Sequence, residues 1–236
     1  MTPSRPLAIL FDLWGTLVAP RPELRDAVSR LIAADLGVDP QRFAAAVRLS
    51  HGERFVGHMG SLAATLGELS RRCGADPDAR TIECAAARRL DLTRELLAVG
   101  SETLAVLDAL RGAGFRLGLV SDSSIEVPTV WSGCPLSERI EATGFSCLLG
   151  VRKPAAETYL HVTRLLGVDP RECLYVGDGD SRELTGAAAL GMTALRVRLG
   201  GGSAADHYDD DADFAGPEIG RLEDLLSSPF LGVPVS

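Results

Sequence analysis

The first regular pattern along the chain is an apolar run. Residues 7–13, LAILFDL, predict a strand buried on both faces that ends at a carboxylate, Asp12. Between residues 21 and 99 the spacing becomes helical. Apolar positions recur every three or four residues near 22–36, 41–56, 61–73 and 79–98. The stretches GVDPQ, GHMGS and GADPD separate these segments, each offering a glycine that stops one helix and a polar residue that starts the next. From residue 101 the two periods alternate. SETLAVLDALRGAG predicts a helix capped by Ser101, with Glu102 in its first turn and a glycine stop. FRLGLVSD predicts a strand and FSCLLG a second, short one. AAETYLHVTRLLG is a helix, CLYVGD a strand, SRELTGAAALG a helix, TALRVRL a strand, and EIGRLEDLL a last helix.

Strands alternating with helices predict an α/β fold with a parallel sheet covered on both faces. The expected division is an α/β core made of residues 1–18 and 100–236, with residues 19–99 inserted as a helical unit. Three predicted strands end in polar residues, at Asp12, at Ser121-Asp122 and at Gly177-Asp178. Ligands of open α/β sheets bind outside the carboxyl ends of the strands, so these three ends are expected to meet at one site.

Composition narrows the function. Of 236 residues, 46% are apolar, enough for a sizeable core, and the net charge is -8, which argues against a nucleic-acid partner. Small anionic substrates stay open, since a few local cations serve them. The five cysteines are odd in number and form no C-x-x-C pair, so buried reduced thiols are expected rather than disulfides or zinc. No stretch approaches the ~18 apolar residues of a membrane span, and the N-terminal apolar run is broken too early for a signal peptide. A soluble, cytoplasmic protein is expected. The charge run DHYDDDADF, residues 206–214, is expected to be a solvated loop.

The polar strand ends carry a constellation: Asp12 in FDLWGT, Ser121 in LVSDSS, Lys153 in GVRKP, and Asp178 with Glu183 in YVGDGDSRE. In this order and spacing the chain resembles the haloacid dehalogenase superfamily of hydrolases. The resemblance runs from residue 7 to about 195 and implies a Rossmann-like core with an inserted helical cap of the C1 type. It implies that Asp12 is a nucleophile forming a covalent intermediate. Lys153 would offset negative charge, and Ser121 would hydrogen-bond a substrate oxygen. Trp14 and Asp122 join Ser121 and Lys153 as candidate substrate contacts. A phosphoryl group builds charge on three oxygens, for which Mg²⁺ is the usual remedy. Its ligands would be Asp12, the main-chain carbonyl of Trp14, Asp178, and Glu183 either directly or through water. The expected substrate is a small phosphate ester or acyl phosphate.

One position departs from the pattern. Family phosphatases usually carry a second Asp two residues after the nucleophile, as acid and base; here that residue is Trp14. Indole has one N–H donor and no acceptor, so it is no general base, and losing such a group typically costs ~10²–10⁴ in rate. Three readings follow. The first is a Mg²⁺-dependent phosphatase whose acid is replaced, by Asp122, by a cap residue, or by a good leaving group. The second is a metal-independent 2-haloacid dehalogenase-like hydrolase, in which halide departs without a proton. The third is a ligand-binding protein without turnover. The phosphatase-style VGDGDSRE ranks the first ahead. Asp180 is expected to be solvated, His51 and His58 to lie on the surface, and Trp131 to pack. Ser121, Ser123 and Ser124 also suit a helix N-cap.

Overall fold

The computed structural model describes residues 5–19, 21–198 and 210–232. Its centre is a six-stranded parallel sheet in the order β3-β2-β1-β4-β5-β6. The strands are β1 (Ala8–Phe11), β2 (Arg116–Ser121), β3 (Ala142–Phe145), β4 (Cys173–Gly177), β5 (Thr193–Val197) and β6 (Glu218–Ile219). The α/β class expected from the alternation is the one found.

The continuous apolar runs are explained by burial on both faces. Along β1, Ile9 and Phe11 join one hydrophobic cluster, and Ala8 and Leu10 join the other. Strand β4 divides likewise, with Leu174 and Val176 on the first face and Cys173 and Tyr175 on the second. Helix α6 (Ser101–Gly112) covers the first face through Val106, Leu107 and Leu110. Helices α9 (Ala156–Leu166) and α10 (Glu183–Ala189) cover the second through Tyr159, Val162, Leu184 and Ala187.

Between β1 and β2 run α1 (Pro22–Asp35), α2 (Pro40–Leu49), α3 (His51–Phe55), α4 (Leu62–Arg72) and α5 (Ala79–Leu96). Their apolar faces close on a third cluster that includes Val28, Ile32, Phe43, Leu66 and Leu69. Asp39, Ser61 and Asp78 start α2, α4 and α5 by accepting backbone N–H groups. Trp14, Leu90 and Ile125 pack against both this cluster and the first face of the sheet, so they join the two units.

Several expectations need correction. The helix expected over 41–56 breaks at Ser50, where the backbone leaves helical geometry. Gly100, not Ser101, occupies the N-cap of α6, and no side chain caps it. FSCLLG is not a strand of its own: β3 ends at its first residue, Phe145, and Ser146–Leu149 forms a helical turn, α8, ended by Gly150 at φ 76°. The short apolar run carries no period that separates the two states. SRELTG begins its helix only at Glu183, because Ser181 and Arg182 take left-handed φ of 58° and 51°. EIGRLEDLL splits into the edge strand β6 and a 3-10 segment, Leu222–Ser227.

Candidate active site

Strands β1, β2 and β3 build the sheet outward in one direction, and the chain then returns to place β4 on the other side of β1. The switch point therefore lies between β1 and β4, where a crevice opens at the carboxyl ends of the strands. Asp12 and Asp178 follow those two strands. Asp12 N donates to Val176 O at 3.0 Å, which extends the ladder by one rung and fixes the residue beside β4.

Pleating decides where the carboxylate goes. Asp12 continues the Ala8–Leu10 alternation, the side covered by α9 and α10. There Lys153 Nζ donates to Asp12 Oδ1 at 2.6 Å and to Glu183 Oε2 at 2.5 Å. Tyr175 Oη donates to the same Glu183 oxygen at 2.7 Å, and Gly179 N donates to Glu183 Oε1 at 3.0 Å. Tyr159 Oη donates to the main-chain oxygen of Glu183 at 2.9 Å. Glu183 is thus engaged on both carboxylate oxygens and is 0% exposed. Gly177 makes this possible, since a Cβ there would lie 2.0 Å from Glu183 Oε1.

Gly15 does the same for Asp178. It sits at φ +81°, and a Cβ would fall 2.0 Å from Asp178 Oδ2. The Gly of FDLWGT is therefore required by two independent constraints. Asp178 Oδ1 accepts from Asp180 N at 3.0 Å. The loop itself is closed by a β-bridge between Trp14 and Val18.

Asp122 Oδ1 accepts from Lys153 N at 3.0 Å, tying the end of β2 to the lysine loop. Ser123 N donates to Ser146 Oγ at 3.0 Å. Ser121 Oγ, Asp122 Oδ2 and Ser123 Oγ are buried without a partner among the described residues. Buried polar atoms are rarely orphaned, and such a group asks for a ligand or water. Asp12, Asp122, Lys153, Asp178 and Glu183 are thus brought to one place, with Ser121 at the adjacent strand end.

Electrostatics follow from the count of charges. Three carboxylates, on Asp12, Asp178 and Glu183, have oxygens within 4.8 Å of one another, and Lys153 is the ammonium among them. Burial first, then Glu183 and Asp178, push the Asp12 carboxyl well above the usual range, against the pull of Lys153. Burial alone would lower the Lys153 ammonium, but Asp12, Glu183 and Asp122 outweigh it and hold it well above an ordinary lysine. The cluster has hard oxygen donors and excess negative charge, which suits a divalent cation of the Mg²⁺ type.

Trp14 is half-buried and lines the same cavity, but its indole wedges between the sheet and the helical unit. Arg89 Nη2 on α5 reaches Glu126 Oε1 at 2.8 Å at the start of α7 (Glu126–Val130), a second tie between the units. The cavity between them encloses about 510 Å³ and is lined by Asp12, Trp14, Asp122, Lys153 and Asp178 on the sheet side.

Some residues lie where the pattern did not put them. The acidic run is not simply solvated: residues 206–209 lie outside the described residues, but Asp211 is 1% exposed. Its carboxylate accepts from Thr185 N at 2.7 Å and from the Thr185 hydroxyl, so it caps α10 from a distant loop. Asp211 N donates to Gly179 O at 2.8 Å, binding that loop to the turn that carries Asp178. His51 is buried against Phe55 with ring centroids 3.9 Å apart, whereas His58 is exposed as expected. Asp180 lines the cavity, with Oδ1 accepting from Ser181 N at 2.7 Å. Trp131 packs edge-on to Phe145, with centroids 5.3 Å apart. All five cysteines are free, Cys84 alone being exposed. Tyr159 and Tyr175 were missed as site residues. For Tyr175 the signal was a tyrosine inside an otherwise apolar strand, whose hydroxyl needs a buried partner; Tyr159 lies in a mixed helix, AETYLHVTRLL, that gave no such signal.

Residues 6–191 match the haloacid dehalogenase-like hydrolases, and the chain belongs to that family. It is 30% identical over 232 residues to the glyceraldehyde 3-phosphate phosphatase of Methanopyrus kandleri, covering 93% of this chain and 95% of that one. It is 28% identical to a phosphoglycolate phosphatase of Chromobacterium violaceum, over 94% and 96% of the two chains. Among solved structures, a HAD family enzyme of Bacteroides thetaiotaomicron in complex with magnesium and inorganic phosphate superposes with a TM-score of 0.63 at 18% identity. That match covers 84% of this chain and 96% of the other, and it shows the shared fold.

Proposed function

We propose that this hydrolase is a Mg²⁺-dependent phosphatase acting on a small phosphate ester or acyl phosphate, with helices α1–α5 as a cap over its site. The observation that carries the reading is the buried cluster of Asp12, Asp178 and Glu183 around the Lys153 ammonium, which brings together the groups that such a reaction needs. The phosphatase names of relatives that match nearly the full chain support it.

In this reading Asp12 attacks phosphorus and Ser121 Oγ, which has no partner among the described residues, donates to a phosphoryl oxygen. Lys153 holds Asp12 in position and faces the incoming negative charge. Asp12, Asp178 and the main-chain carbonyl of Trp14 would hold Mg²⁺, which when bound supplies charge neutralisation on the transferring group. Glu183 acts chiefly by orienting Lys153, given its three donors.

Trp14 leaves no acid at the usual position, so leaving groups that depart without a proton are favoured. Asp122 is the substitute we assign. Burial raises its carboxyl above the ordinary range, against the pull of Lys153; the residue lines the same cavity, and its Oδ2 has no partner among the described residues. Trp14 also favours a second reading, metal-independent dehalogenation, in which halide needs no proton. The test is turnover of 4-nitrophenyl phosphate and acetyl phosphate with and without Mg²⁺, beside chloride release from 2-chloropropionate. Mg²⁺-dependent phosphate release is expected; chloride release without metal, and no phosphate release, would overturn the proposal.

A further inference from the structure

The turn from Asp178 to Glu183 carries a carboxylate at each end, and both belong to the buried cluster. Little within the turn accounts for its shape. Gly179, Ser181 and Arg182 take positive φ of 100°, 58° and 51°. Left-handed backbone at non-glycine residues persists only where the surroundings over-determine it. Helix α10 also starts without help from the turn, since Arg182 stands at its N-cap and makes no capping bond. Asp211 meets both needs. Its main-chain N donates to Gly179 O at 2.8 Å. Its carboxylate accepts from the N of Thr185, third residue of α10, at 2.7 Å and from the Thr185 hydroxyl. The first of these is the bond that an N-cap side chain ordinarily makes. Asp211 is itself fixed from β5: Arg196 Nη2 donates to its main-chain O, and the guanidinium lies over Phe214 at 5.4 Å. A Cβ at Gly179 would fall 3.2 Å from the same Nη2, so Arg196 backs the turn as well.

We propose that Asp211 is a positioning residue for the cation site: it fixes Gly179 relative to Thr185, and through them holds Asp178 and Glu183 where a divalent cation needs them. The inference rests on the phosphatase reading for Asp178 as a ligand. It goes beyond that reading in assigning the ligand's support to a residue of the distant charge run. The carboxylates of Asp12, Asp178 and Glu183 have oxygens within 4.8 Å of one another. Like charges so close repel, so the turn has to be held against them before a cation arrives. A ligand set held in place beforehand binds more tightly, because the cost of ordering it is already met. Partners that orient metal ligands in this way typically change metal affinity when they are removed.

The test reads cation binding apart from turnover. Mg²⁺ alone is titrated by calorimetry into the full chain and into Asp211→Ala, Asp211→Asn and Thr185→Val. In Asp211→Ala the dissociation constant is expected to rise about 10-fold or more. Asp211→Asn keeps an oxygen that accepts from Thr185 N and an amide that can donate to the Thr185 hydroxyl, so it should retain most of the affinity. Thr185→Val removes one bond and leaves the helix N–H in place, so a smaller loss is expected, and it reports even where Asp211→Ala folds poorly. Val106→Ala, beneath α6 on the opposite face of the sheet, is the control for lost stability. A merely less stable protein offers fewer sites to the titration without changing their affinity. In parallel, the Mg²⁺ concentration that half-saturates turnover of 4-nitrophenyl phosphate should rise in Asp211→Ala by the same factor, with kcat at saturating Mg²⁺ close to the parent's. Equal Mg²⁺ affinity in Asp211→Ala, Thr185→Val and the parent, alongside Mg²⁺-dependent turnover, overturns this inference and leaves the phosphatase reading intact. A loss in Val106→Ala as large as that in Asp211→Ala also overturns it. Mg²⁺ binding that Asp211→Ala weakens, without turnover of any ester, supports the positioning role and counts against the phosphatase. A parent that binds no Mg²⁺ overturns both.

Discussion

Replacing Lys153 with Met keeps most of the side-chain volume and removes the charge. In the folded chain the ammonium stands 2.6 Å from Asp12 and 2.5 Å from Glu183, at side-chain exposures of 3%, 6% and 0%. Removing one member of a buried ion pair strands its partner and costs about 3–5 kcal/mol. Two carboxylates are stranded here, so the upper end, about 5 kcal/mol at pH 8, is expected. That is a large share of a total stability on the order of 5–15 kcal/mol. The cost also depends on pH. The Asp12 carboxyl is already raised by burial, with Lys153 opposing, and without the lysine it climbs further. A carboxyl whose folded pKa exceeds its unfolded one contributes stability at low pH that is lost as pH rises through the folded value. The deficit of the variant should therefore shrink on going from pH 8 to pH 5, by up to about 1.4 kcal/mol per pH unit for each proton taken up on folding. Urea unfolding followed by circular dichroism measures this. The double variant Lys153→Met/Glu183→Gln should recover part of the loss at pH 8, because no second charge is stranded; the recovery is partial because the amide oxygen accepts from only one of Tyr175 Oη and Gly179 N. A Lys153→Met protein as stable as the parent at pH 8, or a deficit independent of pH, would refute the reasoning.

Trp14→Asp restores a carboxyl at the position that lacks one, and should raise kcat on an alkyl phosphate by ~10²-fold relative to 4-nitrophenyl phosphate, whose leaving group departs unprotonated. Steady-state rates on both esters in one preparation give the ratio, and a ratio equal to the parent's contradicts the role given to residue 14. His51 is held down to about 4 by burial, then by Arg152 and Arg54, with Asp180 opposing. The unfolded chain takes up that proton below about 6.5 and the folded chain does not until about 4, so stability falls as pH drops through this window. In His51→Gln that contribution is absent. The parent should lose about 1.4 kcal/mol per pH unit more than the variant between pH 6.5 and 4, and unfolding curves that track each other there would count against a neutral buried imidazole.

Much of the fold was legible because the β1 and β4 runs are buried on two faces and leave no helical period to confuse them. The site was legible in part for the same reason. A carboxylate at the end of such a run has no apolar partner to seek, and the topology brings β1, β2 and β4 side by side, so Asp12, Asp122 and Asp178 had to meet. What stayed hidden depends on contacts distant in sequence. Asp211 looks like any acid in a charged run until Thr185 is seen to lie beneath it. His51 sits on a short helix whose burial comes from the unit it packs against, not from its own spacing. Glu183 reads as a metal ligand or a helix-start acid, yet Gly177 lets it fold back onto Lys153 and Tyr175.

The claim on which the function depends is that Asp12 bonds covalently to phosphorus. Enzyme turning over 4-nitrophenyl phosphate with Mg²⁺ is quenched in acid within one turnover, and its peptides are sequenced by mass spectrometry. A phosphoryl group on the peptide carrying Asp12, absent in Asp12→Asn together with phosphate release, is expected. Mg²⁺-dependent phosphate release that persists in Asp12→Asn, or a phosphoryl group trapped on another residue, would contradict it.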